Sequence, residues 1–191
     1  MRYGIGRTVL VVVAASAALT VTGCEPGLDD AGVDPAGPAP ASEGAPTCSV
    51  EDLEATARQA AERPAGTGTG AAIVEFVNVS GASCVLKGHP TVAGAGNGSP
   101  ERNHPLKVTP TGTATPVTVA PDGKAWVKLT FVQVQGEADG YCASGADPVS
   151  YPTIVVGLPG SGAHQVALDD GVFAECDDTV TVTPVSAVEP A

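Results

Sequence analysis

Residues 124–131 alternate with a strict period of two. Ala125, Val127, Leu129 and Phe131 fall on one face of an extended chain, with Lys124, Lys128 and Thr130 on the other. That period belongs to a strand with one face in a core and one in water. Beyond Phe131 the apolar positions shift to Val132 and Val134, which predicts a bulge or a buried end. Residues 71–79 are rich in β-branched and aromatic side chains, and residues 83–92 follow the Ser80-Gly81 turn, predicting a hairpin. Residues 106–109, 116–120, 151–158, 163–168 and 179–185 read as further strands. Pro121-Asp122-Gly123 reads as a tight turn, and residues 94–104 as a long loop with Asn97-Gly98 at its tip. Residues 48–63 stay open between a short helix and an edge strand, because Leu53, Ala55 and Ala57 alternate with Glu54, Thr56 and Arg58. Many short strands without a long helical period predict an all-β fold, an antiparallel immunoglobulin-like β-sandwich of about eight strands over residues 47–185. Residues 186–191 read as a flexible tail.

Residues 1–46 break the pattern. Arg2 and Arg7 make a cationic start without acids, and residues 9–21 are almost wholly apolar. That run is too short for a membrane span of about 20 residues but suits the core of a cleaved signal peptide. It ends in Val21-Thr22-Gly23-Cys24, which reads as a lipobox. A plain secretory signal does not need the cysteine, whereas a lipoprotein signal uses its thiol to accept diacylglycerol through a thioether. The expectation is therefore a signal peptide over residues 1–23 and lipidation of Cys24. Two acyl chains hold a protein stably on a membrane where one binds only marginally. Residues 25–46 are dominated by Pro, Gly, Ala and acids, with no Lys or Arg. Such a segment cannot bury a core, so residues 24–46 are expected to form a disordered linker with a mean reach of roughly 25 Å.

With Cys24 assigned to lipid, Cys48, Cys84, Cys142 and Cys176 remain, an even set in an oxidising compartment. Three pairings are possible. Cys48–Cys84 and Cys142–Cys176 are favoured, each flanking one half of the domain and closing a loop of about 35 residues that contributes roughly 3–4 kcal/mol. A thiolate metal site would bring the cysteines in close pairs, which are not present here.

The string Asn78-Val79-Ser80, Cys84-Val85-Leu86, Gly88-His89-Pro90 resembles the hallmark of the domain-of-unknown-function family 4232. The resemblance extends to an opening cysteine (Cys48), a turn at Pro121 before the strand reaching Leu129, and two later cysteines (Cys142 and Cys176). His89 stands where the family often has an aromatic residue, and Asp122 interrupts its usual Pro-Gly pair. The resemblance implies a secreted or lipid-anchored protein of high-GC Gram-positive bacteria, an immunoglobulin-like sandwich and no established activity, so no catalytic residue is carried over.

Losing Arg2 and Arg7 leaves seven cations against 21 acids, a charge of about −14. That balance argues against nucleic acid, which demands clustered Lys and Arg. His89, His104 and His164 are scattered, and Ser144 and Ser161 lie outside any Gly-x-Ser-x-Gly elbow. Asp169, Asp170, Glu175, Asp177 and Asp178 form the densest group of acids. Asp169, Asp170, Asp177 and Asp178 are weak calcium candidates, since calcium takes six to eight oxygens, but the spacing is not that of an EF-hand and a solvated turn is the preferred reading. No cofactor is expected.

The chain therefore reads as a non-enzymatic binding or interaction module, lipid-anchored on the extracytoplasmic face of the cell membrane. Its partner would be an unidentified envelope protein or small ligand, met by the loops at residues 94–104 and 136–149. The alternative is an envelope hydrolase or transferase whose site gathers His89, His104 or His164 with nearby acids. A histidine within hydrogen-bond reach of both an acid and a serine would favour the alternative.

Overall fold

The computed structural model describes residues 44–62, 68–132, 142–169 and 171–191. The expected signal peptide, Cys24 and all but the last residues of the linker lie outside the described residues.

After a 3₁₀ turn at Val50–Asp52 come the strands β1 (Leu53–Gln59), β2 (Thr69–Asn78), β3 (Cys84–Leu86), β4 (Thr91–Ala95), β5 (Asn103–Pro105), β6 (Lys107–Pro110) and β7 (Val117–Val119). They are followed by β8 (Lys124–Val132), β9 (Val149–Tyr151), β10 (Thr153–Leu158), β11 (Gly162–Val166), β12 (Phe173–Glu175) and β13 (Thr179–Val182). One sheet runs β1-β2-β8-β13-β6 and a second β11-β10-β4-β5, with the small ribbons β12-β9 and β3-β7 beside them. Among the described residues the strands pair antiparallel except where β6 joins β13 in parallel.

The period of two has its expected consequence in β8. Ala125, Val127, Leu129 and Phe131 are all essentially inaccessible and meet Ala72, Val74 and Phe76 of β2 in the core. Ile154, Val156 and Leu158 of β10 close the core from the other sheet. Val132 is exposed, so the apolar shift after Phe131 marks the strand's end, and Val134 lies outside the described residues. The two disulfides, Cys48–Cys84 and Cys142–Cys176, are the favoured pairing.

One open reading is settled and four expectations are corrected. Residues 53–59 form the edge strand β1, whose inward Leu53 and Ala57 reach the core, and no helix forms there. Residues 83–92 do not hairpin onto β2. Gly88, at a left-handed φ of 89°, splits them into β3, which pairs with β7, and β4, which enters the other sheet. The loop at 94–104 is shorter than expected, spanning residues 96–102, because its ends pair as β4 and β5. The described residues hold thirteen strands where about eight were expected, because three-residue pieces such as β5, β9 and β12 are too short for alternation to register. Residues 186–191, read as a tail, lie along β8, with Ser186 and Trp126 exchanging two backbone hydrogen bonds of 2.9 Å.

The Asn-x-Ser string is a structural joint. Asn78 is fully buried at the end of β2, and its side chain fills its bonding capacity. Nδ2 donates to the carbonyls of Ala82 at 2.8 Å and Val119 at 2.9 Å. Oδ1 accepts from the Ser80 amide at 2.9 Å and the Ser80 hydroxyl at 2.7 Å. One side chain thus ties β2, the following turn and β7 together.

Candidate functional site

The hairpin tip at residues 96–102 is exposed but braced. Gly96 O accepts Gln165 Nε2 at 2.7 Å and Thr153 Oγ1 at 3.2 Å, and Asn103 Nδ2 donates to Pro100 O at 2.6 Å. On the same hairpin, in β5, His104 places its Nε2 3.1 Å from Asp178 Oδ1. Its ring stacks on Tyr151 of β9, with centroids 6.5 Å apart and planes 15° from parallel. Tyr151 can lie there because β4 presents Gly94: a Cβ at that position would stand 2.4 Å from three ring carbons.

The acids behind this surface come from the turn that follows β12. Asp177 and Asp178 both take left-handed backbone angles, φ 61° and 51°, which aspartate tolerates better than most residues. Ser144 Oγ donates to Asp177 Oδ1, and the neighbouring Cys142–Cys176 bridge staples that loop to the turn. Residues 142–149, the described part of the second expected recognition loop, therefore meet the β5 side of the molecule through Asp177, Asp178 and His104.

Glu175 is the residue that sequence reasoning misplaced. The sequence places it in a solvated acidic turn, yet it is fully buried and neither carboxylate oxygen has a hydrogen bond of good geometry. Burial pushes its pKa up, and the charge of Asp178 adds to the rise. The backbone amides of Thr179 and Asp178 and the His104 ring oppose it more weakly. Tyr151 is also raised, by its burial first and then by the charges of Glu175 and Asp178. The signal was available: Glu175 stands two residues after Phe173, whose ring packs on Phe131, and a strand puts both on the same face.

The remaining candidates are dispersed. His89 meets the carbonyl of Thr111 at 2.9 Å, in the loop before β4. His164 turns inward from β11 onto Phe76, ring centroids 6.0 Å apart, and its buried Nε2 has no partner. Burial lowers the pKa of His164. Ser161 is buried in the turn between β10 and β11, and Ser144 is engaged by Asp177. Among the calcium candidates, Asp178 faces His104 and Asp177 faces Ser144. Asp169 borders a shallow depression with Thr56, Arg58 and Glu75 instead, and Asp170 lies outside the described residues. Among the described residues no three His, Cys, Asp or Glu side chains gather as a metal site.

The arrangement around His104 is thus a half-exposed imidazole–carboxylate pair stacked on a tyrosine, suited to polar and aromatic contact with a partner. A search of curated proteins finds no match to this chain. A family model does match, over residues 48–186, from the first disulfide cysteine past the last strand, and carries the description domain of unknown function (DUF4232). The match spans most of the sequence and includes the Asn78 joint and both disulfides, so the chain belongs to the DUF4232 family.

Proposed function

We propose that this protein is a lipid-anchored module on the extracytoplasmic face of the cell membrane, and that its sandwich is a non-enzymatic binding domain. Four of its five cysteines are consumed by two disulfides, leaving Cys24, at the end of the lipobox, as the one thiol not so used. The observation that carries the binding reading is the separation of the histidines. His89, His104 and His164 each have different surroundings, and the one facing a carboxylate, His104, has none of the described serines bonded to it. Recognition is assigned to the braced hairpin tip at 96–102 together with His104 and Tyr151. Rigid support of an exposed loop lowers the ordering cost of binding.

Photocrosslinking in whole cells tests this. A photoreactive residue at the exposed position Glu101 captures a defined envelope partner that the same group at exposed Glu54 does not, and Cys24→Ala abolishes the adduct by releasing the protein from the membrane. Equal labelling from both positions would contradict the proposal. So would turnover of an envelope ester or amide that His104→Ala eliminates, which is the outcome expected of a hydrolase or transferase.

A further inference from the structure

The outer face of the five-stranded sheet carries an apolar position that its strand pattern does not require. Ile73 points away from the core from the middle of β2, on the same face as Glu75, yet only 1% of it is exposed. Its register partners are Arg58 on β1 and Lys128 on β8, so a cation stands on either side of it. Long basic side chains cover apolar surface with their stems while keeping their heads in water.

Both heads are held by the segment after β13. Glu189 pairs with Arg58, and the Ala191 carbonyl accepts from Lys128 Nζ. Ser186 exchanges two backbone hydrogen bonds with Trp126, and Val185 donates to Gly88 O at 3.0 Å. Beyond Ser186 the hold is light. Val188 is 74% exposed, the Arg58–Glu189 pair is about half exposed, and a depression of about 330 Å³ opens between Arg58, Glu62, Glu189 and Pro190. Exposed ion pairs contribute little to stability.

An apolar centre flanked across the sheet by two cations, both of whose heads a lightly held acidic segment engages, has the anatomy of a binding surface with an occupant in place. The chain is acidic overall, with nine Lys and Arg against 21 acids, and Glu75 and Asp169 lie near Arg58 on this side, yet both register partners of Ile73 are cations. We propose that the Arg58–Ile73–Lys128 face docks an extended acidic segment of a partner protein, of the same chemistry as Val188-Glu189-Pro190, and that residues 187–191 are a strap which competes for it. This surface is built from elements other than the hairpin tip, and its failure leaves the loop reading standing.

The one tryptophan in the chain, Trp126, lies at the base of the strap and reports its state. The probe is an amide-capped peptide of residues 186–191, titrated into the intact protein while Trp126 emission is followed. A strap that occupies the face nine-tenths of the time weakens an external competitor about tenfold. Glu189→Ala, which frees Arg58, is therefore expected to bind the peptide about tenfold more tightly than wild type. The charge-exchanged variant, Arg58→Glu with Glu189→Lys, keeps an internal pair and is expected to reject the acidic peptide while binding one with lysine at that position. Equal affinity of wild type and Glu189→Ala would overturn the proposal, as would acidic-peptide binding that survives the charge exchange. A wild-type dimer that Glu189→Lys dissolves would also overturn it, since the occupant would then be the strap of a second copy.

Discussion

Asn78 Nδ2 donates to the Val119 carbonyl across 41 residues of sequence, at 2.9 Å, inside the protein. The bond joins the end of a central strand to the small β3-β7 ribbon, which has little core of its own. Asn78→Ala strands the buried Val119 carbonyl, the part-buried Ala82 carbonyl and the Ser80 groups from which Oδ1 now accepts. Unsatisfied buried polar groups cost about 1–3 kcal/mol each, partly relieved by water, so a loss of about 2–4 kcal/mol is expected. Urea unfolding measures it, and a loss below about 1 kcal/mol would remove Asn78 from its place as a joint.

Tyr151 and Gly94 make a second dependence. Adding a methyl group at Gly94 meets the tyrosine ring at 2.4 Å, so Gly94→Ala must displace β9 or bend β4. Overpacking of this kind costs about 1–3 kcal/mol. Combined with Tyr151→Leu, the two losses are expected to fall short of additive, because the clash no longer exists. Strict additivity in a denaturant double-mutant cycle would contradict the contact.

Glu175 makes the fold prefer a proton. Its pKa is raised from the ordinary 4.5 by burial and by Asp178, so the folded state binds the proton more tightly than the unfolded chain. The associated stability is complete below about pH 4.5 and is lost as pH rises through the higher folded value. Glu175→Gln, which stays neutral, is expected to melt above wild type at pH 7, with the gap narrowing at pH 4. Melting curves that stay parallel across that range would show that the carboxyl does not titrate inside.

His164 acts in the opposite sense. Burial lowers its pKa from the ordinary 6.5, so the folded state disfavours the imidazolium. Its contribution is complete above about pH 6.5 and is lost as pH falls below that value. His164→Leu is expected to flatten the decline in melting temperature between pH 6.5 and 5 while leaving the Glu175 effect intact. An unchanged acid slope would place the titration elsewhere.

What could be read from residue order was what local pattern controls. The alternation of Ala125, Val127, Leu129 and Phe131 specified a strand and its buried face, and the spacing of the four later cysteines favoured the disulfides that form. What could not be read depends on distant partners. Val85 pairs with Thr118 rather than returning to β2, a choice made by the core and by the Asn78 bond to Val119. Glu175 was hidden among Asp169, Asp177 and Asp178, whose charges suggest water, while its parity with Phe173 pointed inward. The placement of Val188 to Ala191 is not legible because these residues have no period, and their seat depends on Arg58 and Lys128, cations from two different strands.

The most direct test of the account is the mass of the N-terminal peptide from the membrane fraction of producing cells. The account predicts a mature chain beginning at Cys24 and carrying diacylglycerol on its sulfur, with further acylation of the amine permitted. A retained leader, or an unmodified thiol at Cys24, would contradict it.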